Sequence, residues 1–359
     1  MKISTQPKSA GIAILIVMCA IFVLSFLAAG LAFSMKVESK LAVSTDTNQR
    51  LIWLGRSGVE LARWVLAQEA ALQANDSLNQ IWAGGTGSMS ETNSALAGIP
   101  LTHYPVGDGF VSVKIVDLER FANINSPNNG PEITQALTLM GVDAGSISMI
   151  SDSIQDWVQP GDAPRIAGAK NEYYLGLSPP YNCKNAPMDD ISELLLVKGI
   201  LDHPEIYWGG AAPNHPGAIF QHHLGFGTAG EVPNYPFGLV DVFTPFSSGK
   251  ININTAGPNV LQLIPGVDST VADAIIKLRN GPDGVEGTED DTPIGNPSGA
   301  LQSVGDQNPQ AGNACTTRST TFQVTVTAQI GTYKRDFHAI LFRPAGTRTV
   351  EVVRFYWNY

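Results

Sequence analysis

Charge is scarce in this chain, and positive charge scarcer still. Only 15% of its 359 residues are Asp, Glu, Lys or Arg, and 22 basic against 32 acidic residues leave a net charge of −10. Without concentrated Lys and Arg there is nothing to neutralise phosphates, so nucleic acid is not an expected partner. Cysteine is nearly absent. Cys19 lies in an apolar run, which leaves Cys183 and Cys315 as the pair an oxidising compartment could join. A bridge and two separate thiols both remain open, because distance in the fold decides between them. Catalytic signatures are missing too: there is no His-Glu-x-x-His, no Gly-x-Ser-x-Gly and no phosphate-cradling Gly-Lys-Thr loop. His203, His215, His222 and His223 cluster in the chain, but the adjacent pair points to different sides of any regular element, and all four read as loop residues. Trp157, Tyr173, Tyr174 and Trp208 read as core. The chain is not expected to be an enzyme.

What the chain has is a run without charge from Gly11 to Met35, behind a leader carrying Lys2 and Lys8. As a helix the run is roughly 35 Å long, enough to cross a bilayer core of about 30 Å. The leader lysines hold the N-terminus in the cytoplasm and send the remainder across the membrane. Three readings fit: a signal anchor, a signal peptide cut after Gly30-Leu31-Ala32, or cleavage at Gly11 that leaves Ile12 as the first mature residue, as in prepilins. The third is favoured because Leu51, Leu54, Gly58, Leu61 and Val65 continue a helical stripe, and no proline falls between Lys8 and Ile99. The reading is therefore a leader over 1–11, a membrane-spanning helix over 12–35 and its periplasmic continuation over 36–82.

From Ala83 to Pro100 the chain is rich in Gly, Ser, Thr and Asn and reads as loop. Period-two alternation marks a strand from Phe110 to Asp117, and three more near Thr321–Ala328, Tyr333–Phe342 and Thr347–Tyr356, with a turn at Gly331. Residues 83–124 thus hold a loop and the first strands, and 281–359 an acidic loop and the last strands. Between them, 125–280 reads as short helices with Gly and Pro stops. The expected fold class is α+β, with a helical domain inserted into a helix-and-sheet domain. The insertion contains an echo. Phe121-Ala-Asn-Ile-Asn-Ser126 returns as Lys250-Ile-Asn-Ile-Asn-Thr255, each followed by a short helix, a Gly-Val-Asp (141–143 and 266–268) and a second helix. The Asn-x-Asn-Ser/Thr element suits helix initiation. The second copy looks like a helix-hairpin-helix module, but Asp143 and Asp268 stand where such modules bind phosphate through Gly-x-Gly amides. A membrane-anchored DNA receptor is therefore the weaker alternative, and an anchored hydrolase weaker again.

Taken in order, Asp156-Trp157, Arg165–Leu177, Glu193–Gly199, Ile251–Ala256 and the acidic stretch from Gly281 to Asp291 resemble general secretion pathway protein K, the large minor pseudopilin family of type II secretion. The resemblance covers nearly the whole chain. It implies a type IV pilin-like fold, with the long N-terminal helix packed on an antiparallel sheet and a large inserted helical domain with helix-hairpin-helix-like repeats. It also implies an inner-membrane anchor, a periplasmic body, and a place at the tip of a pseudopilus beside I- and J-type minor pseudopilins and other secretion-machine components. Pilin-like subunits usually carry glutamate at mature position five. Cleavage at Gly11 puts Ile16 there, and a tip subunit, with none ahead of it, needs no carboxylate to pair with a neighbour's amine.

Asp283, Glu286, Glu289, Asp290 and Asp291 crowd five carboxylates into nine residues among glycines. Hard oxygen donors in a flexible loop suit Ca²⁺, and mutual repulsion would leave the loop disordered without a cation. A solvated acidic turn is the competing reading. The resemblance also implies calcium binding.

Overall fold

The computed structural model describes residues 10–210, 233–306 and 308–357. It opens with one helix, α1 (Ala10–Leu72). The first part touches nothing, and Ile12 through Val43 stay exposed; its window of mean hydropathy 3.0 is long and apolar enough to cross a membrane. Further on, Leu51, Leu54, Val65 and Leu66 turn inward on the 3.6-residue repeat. The helix stops at Leu72, well short of the 82 expected. Asp76 is drawn away from the helical path: its N–H donates to Thr317 O and its carboxylate accepts from Ser319 N. Trp82 sits instead in a 3-10 turn, Ile81–Ala83, edge-on to Phe322, and the short helix α2 (Met89–Thr92) follows.

Strands β1 (Tyr104–Val106) and β2 (Gly109–Asp117) make a hairpin, and β3 (Ala122–Asn123) leads away from it. The chain then leaves the sheet for some two hundred residues. It forms α3 (Gly130–Met140), α4 (Ala144–Val158), α5 (Asn171–Leu175), α6 (Glu205–Trp208), β4 (Phe243–Thr244), β5 (Ile251–Asn252), α7 (Pro258–Leu261), α8 (Ser269–Arg279), α9 (Pro297–Ser303), α10 (Pro309–Ala314) and β6 (Cys315–Thr316). It returns as β7 (Thr321–Ile330), β8 (Tyr333–Phe342) and β9 (Glu351–Tyr356), giving an antiparallel sheet in the order β1-β2-β7-β8-β9. Val111, Val113, Ile115, Val324, Val326, Phe337 and Ala339 form the buried face against α1.

The inserted helices have a separate core, in which Trp157 meets Tyr174 edge-on at 5.2 Å between ring centroids. Tyr173 and Trp208 lie at its margin. Its ends are stitched back by two parallel strand pairs, β3 with β4 and β5 with β6. The α3/α4 and α7/α8 pairs both reverse at a glycine in the left-handed region, Gly141 at φ 81° and Gly266 at φ 93°. Asp143 and Asp268 then cap the second helix of each pair.

The helix approaches the sheet closely only where it lacks side chains. A Cβ on Gly58 would fall 2.3 Å from a Val326 methyl, and one on Gly55 2.4 Å from the Phe337 ring. Gly58→Val should therefore destabilise the soluble body by about 1–3 kcal/mol or more, against a small loss for Ser57→Ala on the exposed face, measured by urea unfolding of residues from about 36 onward.

Candidate functional site

The acidic loop leaves the C-terminal end of α8. Arg279, 5% exposed, donates to the carbonyls of Ile253 and Ala256 and, through Nη2, to Glu286 Oε1 at 2.6 Å. Asp283 accepts from Val285 N at 2.7 Å. Asp290 accepts from Asp283 N and from Thr288 Oγ1, and Asp291 from Gly287 N. Four of the five carboxylates thus have donors from within the chain, which accounts for an ordered loop by hydrogen bonding. The Thr288 hydroxyl, then the Asp283 amide, hold the Asp290 carboxyl below its usual range. Burial, and secondarily the charges of Asp290 and Asp283, push Asp291 up. Asp291 and Glu286 line a narrow cleft with Ser77, Asn254, Arg279 and Asn280, and Asn280 Oδ1 is buried there with no donor. Oxygen donors alone suit a hard cation in kind. Among the described residues, however, no three Asp, Glu, His or Cys side chains are gathered as a metal shell.

The Asn-x-Asn elements do not start helices as expected. Asn123 and Asn252 accept from the N–H groups of Asn125 and Asn254, making tight local turns. Asn125 then grips the backbone of Met188 at both N–H and C=O, and Asn254 grips Ile294 in the same way. Neither α3 nor α7 receives a side-chain cap. The amide replaces a strand partner where each two-residue strand ends, because buried backbone groups must be paired.

Of the other expected positions, Ile12 and Ile16 are exposed on α1 at 70% and 63%, and Gly11 lies in its first turn. Lys2 and Lys8, like His215, His222 and His223, lie outside the described residues. His203 Nδ1 lies 3.0 Å from Glu205 Oε1. Cys183 and Cys315 are separate buried thiols, and burial pushes Cys315 up to about 12.

A joint between sheet and insertion went unread in the sequence. Asp117 Oδ2 accepts from Thr255 Oγ1 at 2.5 Å and from Asn252 Nδ2 at 3.1 Å, and Glu119 accepts from Ser248 N, Thr320 Oγ1 and Thr321 N. Asp76 pairs with Arg343 at 2.5 Å. One signal was legible: alternation through Val111, Val113 and Ile115 puts Asp117 on the buried face.

A family model described as "Type II secretion system (T2SS), protein K" matches residues 117–206. Type II secretion system protein K of Klebsiella pneumoniae is 25% identical over 54% of this chain and 59% of its own length, and that of Pectobacterium carotovorum 29% identical over 28% and 35%. A chain in the crystal structure of the GspK-GspI-GspJ complex from enterotoxigenic Escherichia coli shares the fold. Its TM-score is 0.60 at 18% identity, covering 88% of this chain and 98% of that one. Over residues 117–206, then, the chain is similar to type II secretion protein K. The sequence matches span less than two thirds of either relative.

The matched stretch begins at Asp117, in the joint just described. Burial, then the charge of Glu119, raises Asp117 to about 7, above the value near 3.9 of an unfolded aspartate. The folded state therefore holds this proton more tightly. The stability it contributes is complete below about pH 4 and lost as pH rises through about 7. The thermal midpoint of the soluble body should fall between about pH 4 and 7 and level off above, and Asp117→Asn should flatten that slope.

Proposed function

We propose that this protein is a minor pseudopilin of the type II secretion machine, anchored in the inner membrane by α1 with its body in the periplasm. It caps the pseudopilus together with I- and J-type minor pseudopilins and so supports export of folded proteins. The observation that carries this reading is a helix bare and apolar in its first half and roofed by an antiparallel sheet in its second, with a stretch similar to protein K spliced between β2 and β7. On this reading the helix and sheet are a type IV pilin-like body. The related complex, which joins a K-type chain to GspI and GspJ, supports the choice of partners. Ile16, apolar at the fifth mature position, fits a subunit with none ahead of it. The two glycine-turned helix pairs serve as helix-hairpin-helix-like scaffolds. In both, the turn amides that would meet a phosphate are claimed by the chain's own Asp143 and Asp268, which disfavours DNA.

Co-expressed with I- and J-type pseudopilins, the protein should purify as a ternary complex with Ile12 as its first residue. A mature start at Phe33, or salt-sensitive affinity for duplex DNA in place of that complex, would overturn the reading. Ile16→Glu should impair tip assembly or admit the subunit to the shaft.

The acidic loop completes the proposal as a structural Ca²⁺ site, with Asp283, Asp290 and Asp291 as first ligands and Glu289 next. Glu286 remains held by Arg279. Calcium a hundredfold above its dissociation constant should add about 2.7 kcal/mol. The check is the thermal midpoint of the soluble body with calcium and with chelator. A midpoint that does not move, or a response that survives in Asp290→Ala, removes the site.

A further inference from the structure

The last turn of α1 buries a carboxyl group that neither anchoring nor the acidic loop uses. Glu69 is 1% exposed, and neither oxygen has an N–H donor in ordinary hydrogen-bond geometry. Glu91 of α2, whose carboxyl interacts with that of Glu69, is fully buried and rich in donors: Ile81 N at 3.0 Å on Oε1, Ser88 N at 2.6 Å and Gln73 Nε2 at 3.3 Å on Oε2. Among the described residues, the cations nearest the end of α1 are already engaged. Arg343 is bound to Asp76 and the Leu66 carbonyl, and Arg318 to the Ala70 carbonyl, while Asp76, the other charged group facing Glu69, has the same sign. Two buried carboxylates in contact cannot both ionise, and donors favour the charge on Glu91.

We propose that Glu69 and Glu91 share one proton, carried by Glu69 at neutral pH, and that this proton clasps segment 73–98 onto the end of α1 and releases it under alkaline conditions. The segment is also held at Asp76 by Arg343, Ser319 and Asn252, and at Thr86, whose N–H donates to Gly287 O at 3.3 Å, so opening the clasp frees the part beyond Asp76 and loosens the support of the acidic loop as well. Burial first, and then Glu91, raise Glu69 to about 9. The proton therefore stays on Glu69 in the folded state until pH climbs through about 9; the stability it contributes is complete below about pH 4, where an unfolded glutamate is also protonated, and is lost by about pH 9.

Infrared spectra of the full chain in detergent test this directly. Wild type should show a neutral carboxylic-acid carbonyl band at about pH 8, above the titration of Asp117, and lose it by about pH 10. Glu69→Gln, which still donates to Glu91, should lack the band. By hydrogen exchange corrected for the intrinsic effect of pH, amides of 73–98 should lose about tenfold protection over that range in wild type and keep it in Glu69→Gln. A wild-type spectrum without the band at about pH 8 overturns the proposal whatever the variant does, and so do identical exchange profiles.

Discussion

Arg343 is the one charge around which the rest of the body is arranged. It follows β8 and is 2% exposed. Its Nη2 meets Asp76 Oδ2 and Ser319 O, its Nη1 the Leu66 carbonyl, and its guanidinium lies 4.9 Å from the centre of the Phe322 ring. A buried cation is tolerated only when every donor is used and its counter-charge is held in place. Meeting that condition ends α1 at Leu72, bends the chain at Asp76 and positions the start of β7. Asn252 extends the network by donating to Asp76 O, Asp117 Oδ2 and Ser319 Oγ, so the same group that orders the helix end also receives the insertion.

Two hydrophobic cores sit on either side of that joint, one between α1 and the sheet and one within the insertion. Nondirectional burial makes each core but does not say how one should sit against the other. Directional hydrogen bonds do: β5 pairs with β6 immediately before β7, Asn252 N donates to Glu119 O, and Arg354 of β9 reaches Asp189 O. A body that holds its insertion in one orientation needs such contacts, and they are polar because polar contacts carry geometry.

Much of this was legible residue by residue. Alternation placed β2, β7 and β8 almost to their ends, and the 3.6-residue stripe through Leu51, Leu54 and Val65 marked the buried face of α1, since both patterns are local consequences of backbone geometry. The acidic loop was visible as composition. Its partner Arg279 was not, because a lone arginine in a helix carries no mark of burial. Asn125 and Asn254 misled as helix caps for the same reason: an amide that caps and one that grips a distant backbone look alike until the distant segment is present.

The apolar run, the strands, the paired Gly-Val-Asp turns and the poverty of positive charge follow from the sequence alone, because each depends on neighbours a few residues away. Tertiary structure alone decided where α1 stops, that Cys183 and Cys315 stay apart, that Glu69 faces Glu91, and that Asp76, Asp117, Glu119 and Arg343 meet. Those outcomes depend on groups up to 267 positions apart in the chain. Their energies come from desolvation and exact hydrogen-bond geometry, which no local pattern records.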